Sequence, residues 1–211
     1  MIIKPRGENI ELELLRYLRV HKKLDEEDES HYVSLEKGWQ GEQQFDQLLL
    51  GLTKEALILN DLLLKVNNTL FQIDSLLITR IKIIIFEVKN YEGDYYLKDG
   101  RFHMINGKEI KNPLIQISRS ESLLRQLLQE LGFSGTVESY VIFINPEFYL
   151  FDAPVKSSFV FPAQLGRLLK KLNTVATSGV TGRHIELANK LASLHITKSP
   201  YSQLPAYTYE E

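Results

Sequence analysis

The residues best suited to chemistry are Gln72-Ile73-Asp74 and, further along, Glu87-Val88-Lys89. Both groups sit in aliphatic, strand-like runs, TLFQIDSLLI over 69–78 and IKIIIFEVKNY over 81–91. Residues two apart on a strand point to one side, so Glu87 and Lys89 share a face while Ile84, Phe86 and Val88 fill the other. In the preceding strand Gln72, Asp74 and Leu76 share a side, against Phe71, Ile73, Ser75 and Leu77. A hairpin turning near Thr79–Lys82 sets Asp74 and Glu87 opposite one another. Two carboxylates at neighbouring strand positions strongly resist joint ionisation without a cation. Oxygen donors with open positions suit Mg²⁺ or Mn²⁺, which keep several waters and bind phosphates. A lysine two residues from a ligating glutamate can orient or deprotonate a water, or stabilise charge developing on a phosphate. Such a set can hydrolyse a phosphodiester without histidine or cysteine. A Glu-x-Lys on a strand is commonly a solvated face or a cross-strand ion pair. Here, however, the charges interrupt very apolar segments, where burial is costly unless compensated, and two such violations meeting at one place point to a site.

The elements that must position these groups follow from periodicity. Ile10, Leu14, Leu15 and Leu18 recur at helical spacing over 8–24, and the acidic run Asp25–Glu29 after them reads as a solvated linker. A second helix is predicted over 34–51, with Ser34 as N-cap and Leu35, Trp39, Phe45, Leu48, Leu49 and Leu52 on one face. Three antiparallel strands follow over 56–65, 69–78 and 81–91, joined by connections too short for a crossover helix. Asp99-Gly100 marks a hairpin and Asn106-Gly107 a second tight turn. Asn112-Pro113 opens a helix with Ile117, Leu123, Leu124, Leu127, Leu128 and Leu131 as its stripe, stopped by Gly132. A buried strand over 140–145 and helices near 162–173 and 183–195 complete the chain, before a Tyr/Pro-rich tail. The fold class predicted is α/β, a mixed sheet flanked by helices.

Taken in order, Gly38-Trp39-Gln40-Gly41-Glu42, Asn60-Asp61, Gln72-Ile73-Asp74, Glu87-Val88-Lys89-Asn90-Tyr91-x-Gly93 and Asn112-Pro113-x-x-Gln116 resemble the motifs of the NERD (nuclease-related) domain, which itself resembles the PD-(D/E)xK nuclease superfamily. The likeness covers about residues 36–150. It implies a restriction-endonuclease-like core, with 1–35 an N-terminal helix and acidic linker and 151–211 a basic helical appendage and tail. It implies Asp74 and Glu87 as ligands of Mg²⁺ or Mn²⁺, the carbonyl of Val88 as a third, and Lys89 as the catalytic lysine. Glu42 matches an acidic residue aimed at the same metal. Gln116 matches a glutamine that contacts a metal-bound water or a phosphate. Gln72, Asn90 and Tyr91 match without an assigned role, and Gly41 fits close helix packing. The activity implied is metal-dependent hydrolysis of nucleic acid, DNA ahead of RNA; the alternative is an inactive nucleic-acid-binding or protein-interaction module that kept the fold.

Composition narrows the classes further. Of 211 residues, 44% are hydrophobic and 10% aromatic, which argues against a disordered chain. No apolar run approaches the roughly 20 residues a membrane helix needs, and MIIKPRGENIELELL acquires charges too early for a secretory h-region. Zero cysteines exclude disulfides, thiolate zinc and cysteine nucleophiles, and a reducing cytoplasm is the expected compartment. His21, His31, His103, His184 and His195 are scattered without metal-ligand spacing, and no phosphate-loop or dinucleotide fingerprint is present. The net charge of −2 is a cancellation. Lys156, Arg167, Lys170, Lys171, Arg183, Lys190 and Lys198 face the single acid Glu186 over 153–208, a basic stretch that could track phosphates. Lys108 and Lys111 are a weaker basic signal, and Tyr201, Tyr207 and Tyr209 could stack on bases.

Overall fold

A computed structural model describes residues 1–52, 55–176 and 179–197. In chain order the elements are β1 (Ile2–Lys4), α1 (Ile10–His21), α2 (Glu26–Leu50), β2 (Leu57–Val66), β3 (Thr69–Ile78), β4 (Lys82–Lys89), β5 (Gly93–Lys98), β6 (Arg101–Met104) and β7 (Glu109–Ile110). They continue with α3 (Pro113–Glu130), β8 (Thr136–Phe143), β9 (Phe148–Phe151), β10 (Phe159–Val160), α4 (Leu165–Val175) and α5 (Gly182–Ser193). The two-residue turn Asn67-Asn68, at φ of 45° and 63°, folds β2 onto β3 with Val66 opposite Thr69. Asp99-Gly100, at φ of 51° and 75°, does the same for β5 and β6. Asn and Gly tolerate this left-handed backbone, whose twist matches that of the flanking strands.

The central sheet has six strands in the order β1-β2-β3-β4-β8-β10 and is mixed, as expected. The β2–β3–β4 meander is antiparallel, whereas β8 joins β4 in parallel after a crossover that includes α3. One face packs on α2 and α4 through Phe45, Leu49, Ile84, Phe86, Leu168 and Leu172. The other packs on α3, α5 and a second, four-stranded sheet ordered β7-β6-β5-β9. Each fully buried Leu, Ile or Phe in these layers is worth about 1.5–3 kcal/mol. The molecule is thus an α/β core of two mixed sheets flanked by five helices among the described residues.

Some elements depart from expectation. Asp25–Glu29 is not a linker: Asp25 caps α2 by accepting from the Asp28 amide, and the four acids after it form the first turn. Negative side chains are stabilised at a helix N-terminus, so a like-charge run that resists packing suits this position. The helix therefore starts eight residues before Ser34, and its first half packs on α1 through Leu15, Leu18, Leu24 and Tyr32. β8 begins at Thr136, ahead of Tyr140, because Thr136–Ser139 pair with β4 although only Val137 among them is apolar. β1, β9 and β10 are too short to show an alternating pattern. Segments on both sides of 36–150 belong to the central sheet, β1 on β2 and β10 on β8. Lys198 and the tail tyrosines lie outside the described residues.

Candidate active site

The site forms where β3 and β4 part. Their pairing runs from Ile78 opposite Ile83 to Ser75 opposite Phe86, and stops one step before Asp74 and Glu87 would face each other. Beyond the split, the Val88 amide has lost its strand partner and donates to Asp74 Oδ2 at 2.7 Å. The same place is irregular in β2, where Asp61 takes a φ of 52° and drops out of the β2–β3 ladder. The alternation of both strands slips there. Leu57, Leu59, Leu76 and Ile78 share the α3 side with Leu62, Leu64, Phe71 and Ile73, an odd-to-even change in each strand. Asp74 is thereby buried at the gap.

Two sets of groups flank Asp74. On the α3 side, Lys89 Nζ lies 2.6 Å from Glu87 Oε1. Gln116, one turn into α3, donates through Nε2 to the same Glu87 oxygen at 2.5 Å and receives a looser bond from Lys89 at 3.4 Å. Asn112 caps this helix and Pro113 occupies its first turn, which fixes where Gln116 projects. On the α2 side stand Glu42 and Asp46, four residues apart and therefore on one helix face. Gly41 lets α2 approach: a Cβ there would sit 2.6 Å from Asn90 Cβ and 3.1 Å from Ile144 Cγ2. Asn90 in turn donates to the Lys37 carbonyl at 2.8 Å, tying the end of β4 to α2. Tyr91 stacks on Tyr95 within an aromatic cluster, and Gln72 donates to Asp61.

Between Glu42, Asp46 and Asp74 lies a residue that sequence reasoning passed over. Arg6 grips both Asp46 oxygens at 2.9 Å, Glu42 Oε2 at 2.7 Å and the Asp74 carbonyl at 3.0 Å, with Ser75 Oγ at 3.3 Å. Its side chain is only 5% exposed. Two residues earlier, Lys4 Nζ donates to the carbonyls of Asn60 and Asp61, both at 2.8 Å, where the β2 irregularity leaves them free. Lys4-Pro5-Arg6 thus threads along β2 into the carboxylates. No spacing rule links positions 36 to 70 residues apart, so only its two cations at i and i+2 could have hinted at a strand end.

The electrostatics express the crowding. Burial and the charge of Asp74 push Glu42 up to about 8, with Arg6 pulling it back. Burial and Asp74 likewise push Glu87 up to about 7 against the pull of Lys89. Asp74 is raised by its burial, despite Lys89 and the Val88 amide. Burial opposes the charge on Lys89, but Glu87 and Asp74 outweigh it and hold its pKa above the ordinary lysine value. Arg6 is held up in the same way by Asp46 and Glu42.

Glu42 and Glu87 therefore each come within electrostatic reach of Asp74, from opposite sides, with Lys89 and Gln116 beside Glu87. Among the described residues, no group of three His, Cys, Asp or Glu has its donor atoms arranged around one point for a metal ion. Each carboxylate turns to another partner: Glu42 to Arg6, Asp74 to the Val88 amide, Glu87 to Lys89 and Gln116. The donor set nevertheless suits a hard cation, being all oxygen and raised in pKa by burial and by neighbouring carboxylates. Asn60 adds a buried amide oxygen without a partner among the described residues, on β2 opposite Ser75.

A mixed sheet that splits at a buried aspartate, with a Glu-x-Lys on the next strand and carboxylates from a covering helix, defines a nuclease-like α/β core. The chain matches the nuclease-related domain model over residues 37–144, about half its length, and belongs to this NERD family, whose general clan is the PD-(D/E)xK superfamily. Neither the curated proteins nor the solved structures give a match. No helix among the described residues is long and apolar enough to cross a membrane.

Proposed function

We propose that the chain is a nuclease that hydrolyses nucleic-acid phosphodiester bonds, DNA ahead of RNA, with Mg²⁺ or Mn²⁺ as cofactor. The observation that carries this is the opening of β3 from β4 at Asp74, with Glu42 on one side and Glu87, Lys89 and Gln116 on the other. Asp74, Glu87, Glu42 and the Val88 carbonyl are the groups that would hold the ion. When bound, such an ion supplies positive charge beside the phosphate and makes water a stronger acid. Lys89, paired with Glu87, is a charged donor ready to stabilise negative charge on the phosphate oxygens, and it suits this role better than that of a base. Gln116 bridges Glu87 and Lys89 and fixes both. Arg6 fixes Glu42 from the opposite side.

Digestion of labelled single- and double-stranded DNA and RNA with Mg²⁺, Mn²⁺ or EDTA tests this reading. Cleavage should need the metal and fall by at least about 100-fold in Asp74→Ala and Lys89→Ala, in line with the loss of a charge-stabilising group. Cleavage that survives EDTA or both substitutions would sink the mechanism. A second reading rests on the pairing of Glu42 with Arg6 and of Glu87 with Lys89, which already offsets much of the negative charge. It is a module that binds nucleic acid or protein without cutting, and metal binding without cleavage would favour it.

A further inference from the structure

Beside the carboxylates, and sharing Gln116 with them, opens a cleft of about 720 Å³. Its walls are β3 around Leu70 and Gln72, the β6–β7 arm that leads to Lys111, and the first two turns of α3. Ser120 Oγ donates to the Gln72 carbonyl at 3.2 Å and pins α3 to β3, so the cleft has a fixed floor. The volume lies in the range of about 300–1,000 Å³ found for sites that enclose small-molecule-sized groups.

Its charge is one-sided. Arg101 is neutralised by Glu109 at 3.2 Å. Lys111 and Arg119 are exposed and have no ion-pair partner among the described residues. The field of Lys111 reaches Glu87, which places this cation close to the carboxylate site. Between the two cations in sequence, Ile115 is 68% exposed on α3, one turn before Arg119 and adjacent to Gln116. A ligand for this surface carries repeated negative charge, has a flat or apolar part, and runs into the carboxylates.

We infer that this cleft holds a single-stranded nucleic-acid segment flanking the reacting phosphate, with Lys111 and Arg119 on its phosphates and Ile115 against a base. The inference rests on the nuclease reading for the identity of the reacting group, and it adds the strand's course and form. A base reaches an apolar side chain in a cleft only when it is unstacked and unpaired, which a duplex interior does not offer.

The test is fluorescence anisotropy of a labelled single-stranded oligonucleotide, and of the matching duplex, with the full chain in EDTA across a salt series. Lys111→Ala/Arg119→Ala, on exposed positions, should keep the wild-type Tm and weaken single-strand binding by about tenfold or more at moderate salt. It should also lower the slope of log K against log salt by about 1.4, which is two single-strand phosphate contacts at about 0.7 each. Ile115→Ser should weaken the single strand several-fold at an unchanged slope. An unchanged slope in the double variant overturns the phosphate contacts. Duplex binding as tight as single-strand binding, with the same loss in Ile115→Ser, overturns the single-strand assignment. Cleavage is scored separately: its absence with binding intact strikes the hydrolytic reading and leaves the cleft standing.

Discussion

At the scale of single residues, the site is a balance of buried charges, and Arg6 is the member whose removal should be felt most. Arg6→Met keeps the apolar stem but leaves Glu42 and Asp46 without their cation. Breaking a buried ion pair from one side costs about 3–5 kcal/mol, so urea unfolding should show a loss of that order. Arg6→Lys should recover only part of it, since a lysine cannot make the forked contact with Asp46. The carboxylates also give the metal-free protein a pH dependence with a definite sign. Glu42 and Glu87 are pushed up to about 8 and about 7 from an ordinary value of 4.5, so between these limits the folded state holds protons that the unfolded chain has released. Their contribution is fully present below 4.5 and is lost as pH rises through the raised values. The lowered carboxylates Glu36 and Glu138 lose their contribution only below that window. In the same window His195 and the Met1 amine, both lowered by burial, favour the folded state as pH rises, so the carboxylates are read by difference. From about pH 5 to about pH 8, Tm in EDTA should fall more, or rise less, in the wild type than in Glu42→Gln. Parallel Tm profiles for the two proteins would contradict the buried crowding.

At the scale of elements, the approach of α2 to the end of β4 sets the distance between Glu42 and the other carboxylates. Two glycines on that helix separate packing from propensity. Gly41→Ala would force a Cβ to 2.6 Å from Asn90 Cβ, with no flexible tip to give way. Overpacking of this kind costs about 1–3 kcal/mol, and the displaced helix should also lower activity. Gly38 has nothing within 4 Å of an added Cβ, so Gly38→Ala should stabilise by up to about 1 kcal/mol through helix propensity. Equal denaturation midpoints for the two variants would deny that Gly41 is a contact point. Two of the basic residues on the C-terminal helices are engaged with the protein itself, while Lys156, Arg167, Lys170 and Lys190 stay exposed. Lys171 donates to Tyr140 and lies near Glu138, and Arg183 donates to the Gly132 carbonyl and stacks over Phe133. Both cations are thus engaged with the protein's own surface, whereas Lys111 and Arg119 stand free beside the site.

At the scale of the whole molecule, the family segment 37–144 carries Glu42, Asp74, Glu87, Lys89 and Gln116 but not the parts that cover them. It lacks β1 and β10 on the two edges of the central sheet, the first half of α2, and α4 and α5. Leu168 and Leu172 close one core layer, and Leu187, Ala188 and Leu191 close part of the other. A fragment spanning 37–144 should therefore lack cooperative thermal unfolding and expose apolar surface to a reporter dye, while the full chain unfolds in one transition. A cooperative transition in the fragment would show that the flanking elements are accessory to the core.

The sequence by itself determined what local rules can reach. The meander β2–β3–β4 follows from short apolar runs and tight turns, and it brings the stretches carrying Asp74 and Glu87 side by side, with pairing up to Ser75 and Phe86. The cap at Asn112 and the stripe of α3 were legible because capping and helical period act within a few residues. The order of five short motifs identified the family and pointed to Glu42 and Gln116 as candidates. Only the tertiary structure decided how the charges are shared. The parting of the strands at Asp74, the slip of alternation at Asp61, the reach of Arg6 into Glu42 and Asp46, and the neighbourhood of Lys111 and Arg119 all depend on contacts between distant segments. Such contacts carry no period and no spacing, because Coulomb forces and packing act through space, whereas sequence patterns record only what neighbours along the chain must do.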